Sequence, residues 1–165
     1  MKKIKPIIMT SEELRYECFH IKSKSGESYR IIRNFTGENG ISRYSLKLFE
    51  LVKDGFGSFK YAEVSNFDKE NASLNPDSKD GIRLALESFG KYLILTDSNG
   101  DELHLTGCSS GYLGTGPHAT HEVLNKLGFK VPMRFIAAMK EFQLSHPDID
   151  SHLNLELEKL DSKYL

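Results

Sequence analysis

With 165 residues, 39% hydrophobic and 10% aromatic, the chain has the length of one domain and enough apolar material for a core, which excludes global disorder. Its 22 Lys and Arg against 23 Asp and Glu give a formal net charge of −1. That balance excludes bulk nucleic-acid binding and leaves room only for a local basic pocket.

No run of about 18 apolar residues occurs, so no membrane span is expected. The start, MKKIKPIIMT, has too short an apolar patch for a signal segment, and Pro6 breaks it. Cys18 and Cys108 show no framework spacing and read as reduced thiols of a cytoplasmic protein.

Residues 14–21 carry two competing patterns. Thr10-Ser11-Glu12-Glu13 satisfies a capping box, and Leu14, Cys18 and Ile21 are spaced as a helix face. Tyr, Cys, Phe and Ile crowd the segment, however, and turn residues follow at 23–27, so a strand is expected. Residues 29–35 then return as its hairpin partner. A second turn at 36–40 leads to the apolar stretch 44–52, read as part of the β-region, and a third turn closes it at 53–57. Residues 59–67 alternate as a strand, 68–81 read as an exposed loop, and 82–89 fit a short helix or a strand equally. Residues 92–96 have the character of a buried strand, and Asn99-Gly100 signals a hairpin to Leu103 and Leu105.

Beyond Gly107 the period changes. Residues 117–127 predict a helix with Val123, Leu124 and Leu127 inward, ended by Gly128. Pro132 opens another through Phe135, Ile136, Met139 and Phe142, stopping before His146-Pro147. The tail 151–165 fits helix and strand alike. The expected fold is therefore α+β in one domain, 1–165: a meander of antiparallel hairpins over about 1–107, then two or three helices packed on one face.

The segment with the clearest chemistry is TGCSSGYLGTGPHATH, residues 106–121. Gly107, Gly111, Gly114 and Gly116 crowd together just before Pro117, a residue suited to the first turn of a helix. Strand, glycine loop and helix start would gather unpaired backbone N–H groups at the positive end of a helix dipole, an arrangement that binds phosphates and carboxylates. The contact set read from this is Ser110, Gly111, Tyr112, Gly114, Thr115, Gly116, His118, Thr120 and His121. Hydroxyls would donate to the anion, the histidines would add charge, and Tyr112 would stack on a base. Arg33 or Arg43 from the sheet would complete the pocket, whereas Lys126 and Lys130 lie towards the helix's far end and are weaker candidates. The segment lacks the Gly-Lys-Ser/Thr ending of a P-loop and the spacing of the dinucleotide fingerprint.

Rival readings are weaker. His104, Cys108, His118 and His121 do not have a familiar zinc spacing, and Cys108 alone is a poor nucleophile candidate. Asp97-x-Asn99-x-Asp101 fits a hairpin turn better than a calcium loop. Tyr29, Arg30, Arg33, Arg43, Tyr44 and Lys47 would form a basic sheet face.

The expectation is a binding module without cofactor or metal, holding a small phosphate-bearing ligand, most naturally a nucleotide. A sensor or a nucleotide-sequestering protein of the phage counter-defence kind is the role drawn by analogy. The alternatives are a protein–protein module, such as an immunity protein or enzyme inhibitor, with a protein partner or self-association, and a hydrolase or transferase using His118, His121 or Cys108.

Overall fold

The computed structural model describes residues 4–12, 14–22, 26–67, 78–86 and 90–148. In chain order its elements are β1 (Ile7–Thr10), β2 (Arg15–Lys22), β3 (Ser28–Asn34), α1 (Ser42–Val52), β4 (Phe59–Phe67), α2 (Lys79–Ala85), β5 (Gly90–Asp97), β6 (Glu102–Leu105), α3 (Thr115–Lys126), α4 (Met133–Ala138) and β7 (Phe142–Ser145). They build one seven-stranded mixed sheet in the order β1-β2-β3-β6-β5-β4-β7, antiparallel at every contact except β3–β6.

The fold is mixed α+β, but it is not a meander followed by helices. Residues 44–52 lie in α1, not in the sheet. Ser45, Leu48, Phe49 and Val52 are its buried residues, recurring at the three-to-four-residue spacing of a helix face, and this period outweighs the β-tendency of the individual side chains. The basic patch is thereby split: Tyr29, Arg30 and Arg33 sit on β3, while Arg43, Tyr44 and Lys47 sit on α1. Residues 79–85 form a helix. The helix opened at Pro132 is only six residues long, and Phe142 belongs to β7. The segments 23–25, 68–77 and 87–89 and the tail from 149 lie outside the described residues, so the tail expectation and most of the loop expectation fall there, while the end of the expected loop, 79–81, lies in α2 behind the Ser78 cap. The strand at β2 and the Asn99-Gly100 hairpin are present as read, with Gly100 at φ +86°.

Strand alternation divides the core between two faces. Ile32, Leu93, Leu95, Leu103 and Leu105 pack with Leu48 and Phe49 of α1, Val123 and Leu124 of α3, and Ile136 of α4. Their neighbours Phe19, Ile21 and Ile31 point the other way, to Ile82 and Leu86 at α2. The helices therefore cover both faces, not one.

Gly107 follows β6 where the chain passes under the start of α1. Its N–H donates to Ser45 Oγ at 2.7 Å, its carbonyl accepts from Ser42 Oγ at 2.8 Å, and a Cβ there would overlap the Ile41 carbonyl. Gly107→Ala should cost about 2 kcal/mol, because backbone on both sides must move to admit a methyl group. Urea denaturation measures this, and a loss below about 0.5 kcal/mol would show that the two segments are not in close contact.

Candidate functional site

The glycine-rich segment folds as a strand-to-helix connection, and the hydroxyls of Ser109, Ser110, Tyr112 and Thr120 are engaged within it or with the chain after α4. Ser110 Oγ donates to the Lys140 carbonyl at 3.1 Å, and the Gly111 N–H donates to Ile136 O at 2.9 Å. Thr120 Oγ1, fully buried, donates to Ser109 O at 2.8 Å and lies 3.2 Å from Gly116 O. The glycines serve close approach. A Cβ on Gly114 would lie 2.8 Å from the Tyr112 ring, and one on Gly116 would overlap Ser109 Oγ and lie 2.9 Å from the Tyr112 hydroxyl. Tyr112, whose hydroxyl meets Ser109 Oγ at 2.9 Å, thus covers the start of α3, where an anion would approach the first amides. Thr115 and His118 are exposed there and His121 is partly exposed. Beyond this, Gly111 has Lys91 and Lys140 as neighbours.

Of the two arginines, Arg33 is turned away from this loop. Arg43 lies on α1 with its guanidinium 4.9 Å from the Tyr44 ring. Arg33 points to the α2 face, where it pairs with Glu17 at 2.7 Å and donates to Leu86 O at 2.8 Å. Alternation along β6 and the turn after it also separates the histidine and cysteine of the metal reading. His104 faces α2, while Cys108 is buried in the opposite core, where loss of solvent pushes its thiol up to about 12.

Beneath α2 lies a buried charge network that the sequence did not reveal. Arg83 bonds Glu102 at 3.1 Å and Glu63 at 2.8 Å, Lys79 Nζ stands 3.6 Å from Glu102, and His104 Nε2 lies 2.8 Å from Glu102 Oε1. Burial depresses the His104 pKa against the opposing pull of Glu102, so the ring is neutral at pH 7 and carries its proton on Nε2 to reach the carboxylate. Burial alone would raise Glu102, but the His104 hydrogen bond and the Arg83 charge outweigh it and hold the carboxyl at about 2. A cleft of about 660 Å³ opens beside this network, lined by Glu63 and Asp97 as well as Lys79 and Arg83. Its charges cancel, which disfavours an anion.

A second cleft, of about 560 Å³, has the opposite balance. Lys53 follows α1 directly and Lys60 lies at the start of β4, Lys126 and Lys130 come from the end of α3 and the turn beyond it, and His146 follows β7; Asp54 and Asp148 are the acids of the lining. Lys53 and Lys126 share Glu50, at 2.7 and 2.9 Å. Lys60 and Lys130 make no ion pair among the described residues. Lys130 adopts φ +55°, which no other non-glycine among the described residues shares in sign, a conformation costing about 1 kcal/mol. Both ring nitrogens of His146 are engaged: Nε2 lies 2.8 Å from Leu127 O, and Nδ1 accepts from the Asp148 N–H at 3.2 Å. The ring also packs edge-on against Phe129. His146 is thus fixed as part of the wall and has no nitrogen left to act as a base.

The chain matches no family model, no curated protein and no solved structure. The sites therefore rest on their own chemistry.

The charge network makes stability pH-dependent with a defined sign. His104 and Glu102 both have depressed folded-state values, so their contribution is present above the unfolded values of 6.5 and 4.5 and is lost on acidification. The His104 loss begins below 6.5 and the Glu102 loss runs from 4.5 towards 2. The latter amounts to about 3 kcal/mol. Denaturant titrations at a series of pH values should therefore show a steeper acid loss for the wild type than for Glu102→Gln, and equal slopes would contradict this account of the network.

Proposed function

We propose that the protein binds a small phosphate-bearing molecule, with a nucleotide as the ligand class, and that the phosphates sit in the lysine cleft and not at the start of α3. The observation that carries this reading is the convergence of Lys53, Lys60, Lys126 and Lys130 on one concavity with Asp54 and Asp148 as its acids, in a chain whose net charge is −1. Lysines are compact charges with three donors each, suited to phosphate oxygens of no fixed orientation. Lys60 and Lys130 bring charge that no described side chain neutralises. Phe59 and Leu127 add apolar lining for the rest of the ligand. With His146 held at both nitrogens, the cleft is built for holding rather than for proton transfer, which favours a sensing or sequestering role over a hydrolase.

Calorimetric titration with a nucleoside triphosphate and with inorganic pyrophosphate at low salt tests the reading. Lys60→Glu/Lys130→Glu should weaken binding by about tenfold or more, and added salt should do the same, since each lost contact is worth about 1 kcal/mol. Tyr112→Ala and His118→Ala should bind as the wild type does. The reverse pattern would return the site to the glycine-rich loop, and no heat with either ligand at millimolar concentration would remove the reading.

A further inference from the structure

Among the described residues, nothing pairs with or covers the outer edge of β1. All four residues of β1 are exposed on both faces, with Ile7, Ile8 and Met9 at 54, 47 and 40%. At the opposite edge the apolar residues of β7, Phe142 and Leu144, are turned inward. Natural edge strands carry charges or bulges or lie under cover, because their free N–H and C=O groups template further pairing. β1 has no charged residue between Pro6 and Ser11.

The hairpin register shows which groups are free. Ser11 N–H donates to Leu14 O at 2.9 Å, and the β1–β2 ladder continues from that pair through Met9 opposite Tyr16 and Ile7 opposite Cys18. Antiparallel alternation then turns the backbone groups of Ile8 and Thr10 away from β2, to the open side.

We propose that β1 pairs antiparallel with β1 of a second copy of this chain across a twofold axis, joining the two sheets into one. The flanking charges favour that occupant. The uncharged stretch has Lys5 before it and Glu12 after it. Antiparallel pairing centred on Met9 sets Ile8 opposite Thr10 and Ile7 opposite Ser11, and brings Lys5 of each chain to the Glu12 end of the other. Parallel pairing would stack lysine on lysine and glutamate on glutamate. A foreign strand would have to carry this pattern in reverse, whereas a second copy supplies it by symmetry. Main-chain hydrogen bonds and three apolar side chains from each copy form a small contact, so the dimer belongs to the weak, concentration-dependent class.

Sedimentation equilibrium of the full chain from low to high micromolar concentration tests this. The wild type should approach twice the mass of the chain. Ile8→Pro removes an outward N–H at a position where an edge strand tolerates proline, and it should leave a folded monomer. Lys5→Glu and Glu12→Lys should each weaken the dimer about fivefold, and the double reversal should restore it. Should Ile8→Pro fail to fold by circular dichroism, the charge reversals carry the test alone. A wild type that stays monomeric throughout, a dimer that survives in folded Ile8→Pro, or charge reversals without rescue would each overturn the proposal.

Discussion

The parallel contact between β3 and β6 joins a three-stranded antiparallel unit, β1-β2-β3, to a four-stranded one, β6-β5-β4-β7, and it rests on three registered pairs from Ile31–Glu102 to Arg33–His104. So short a seam needs support from outside the ladder. Asn34 Oδ1 accepts from Ser45 Oγ at 2.7 Å and from the Thr106 N–H at 2.9 Å, while Ser45 Oγ accepts from the Gly107 N–H. One amide and one hydroxyl thereby tie the end of β3, the buried side of α1 and the exit of β6 into a single buried clasp. Its three donors, the Ser45 hydroxyl and the Thr106 and Gly107 N–H groups, all find acceptors within it, and satisfied donors are what let a buried polar network strengthen a core. The seam also closes late in the chain, since α1, β4, α2 and β5 all intervene between its strands.

The two sheet faces have different chemistry, and that difference protects the register. Glu17 stands directly opposite Arg33 across β2 and β3, and the pair is buried on the α2 side. Arg83, Glu102 and His104 continue the same polar layer. Buried ion pairs contribute little net stability compared with apolar residues of the same size. Their effect here is on alternatives: a one-residue slip of β3 would carry Arg33 into the apolar layer beneath α1 and leave Glu17 without its partner. Ile31 and Ile32, one on each side, would exchange faces in the same slip.

Local patterns carried much of the fold. The β2–β3 hairpin, the Asn99-Gly100 turn, the strands β4 and β5 and the helix α3 with its Gly128 stop follow from alternation, turn residues and helix period within a few neighbours. What was not legible depends on partners distant in sequence. Nothing near Asn34 or Leu105 announces a parallel seam. The 3.6-residue period of α1 is hidden in a run so rich in apolar residues that it also suits a strand. β7 is too short to outweigh the helical pattern before it, and its inward Phe142 and Leu144 are fixed by pairing with β4. The glycine-rich segment shows the same limit at the level of chemistry. Glycine density marks where backbone comes close to something. At Gly107 and Gly116 the chain's own Ile41 and Ser109 are near enough to account for the glycine, and no local pattern distinguishes that case from close approach to a ligand.

The lysine cleft was invisible for the complementary reason. Its cations come from positions 53, 60, 126 and 130, and only the packing of α1 on α3 and of β7 on β4 brings its walls together. Dispersed in this way, they leave the net charge near zero and form no basic run. Their setting also shapes what they can do. α1 is C-capped by Lys53 and α3 by Leu127, so two helix C-termini direct their negative ends towards this region. Those dipoles, with Glu50, hold lysines side by side that would otherwise repel. They also oppose an anion, so a phosphate held as proposed would bind chiefly through Lys60 and Lys130, which lie outside the Glu50 pairings. On the proposed reading, selectivity would then rest on Lys60 and Lys130, the two cleft lysines outside the Glu50 pairings.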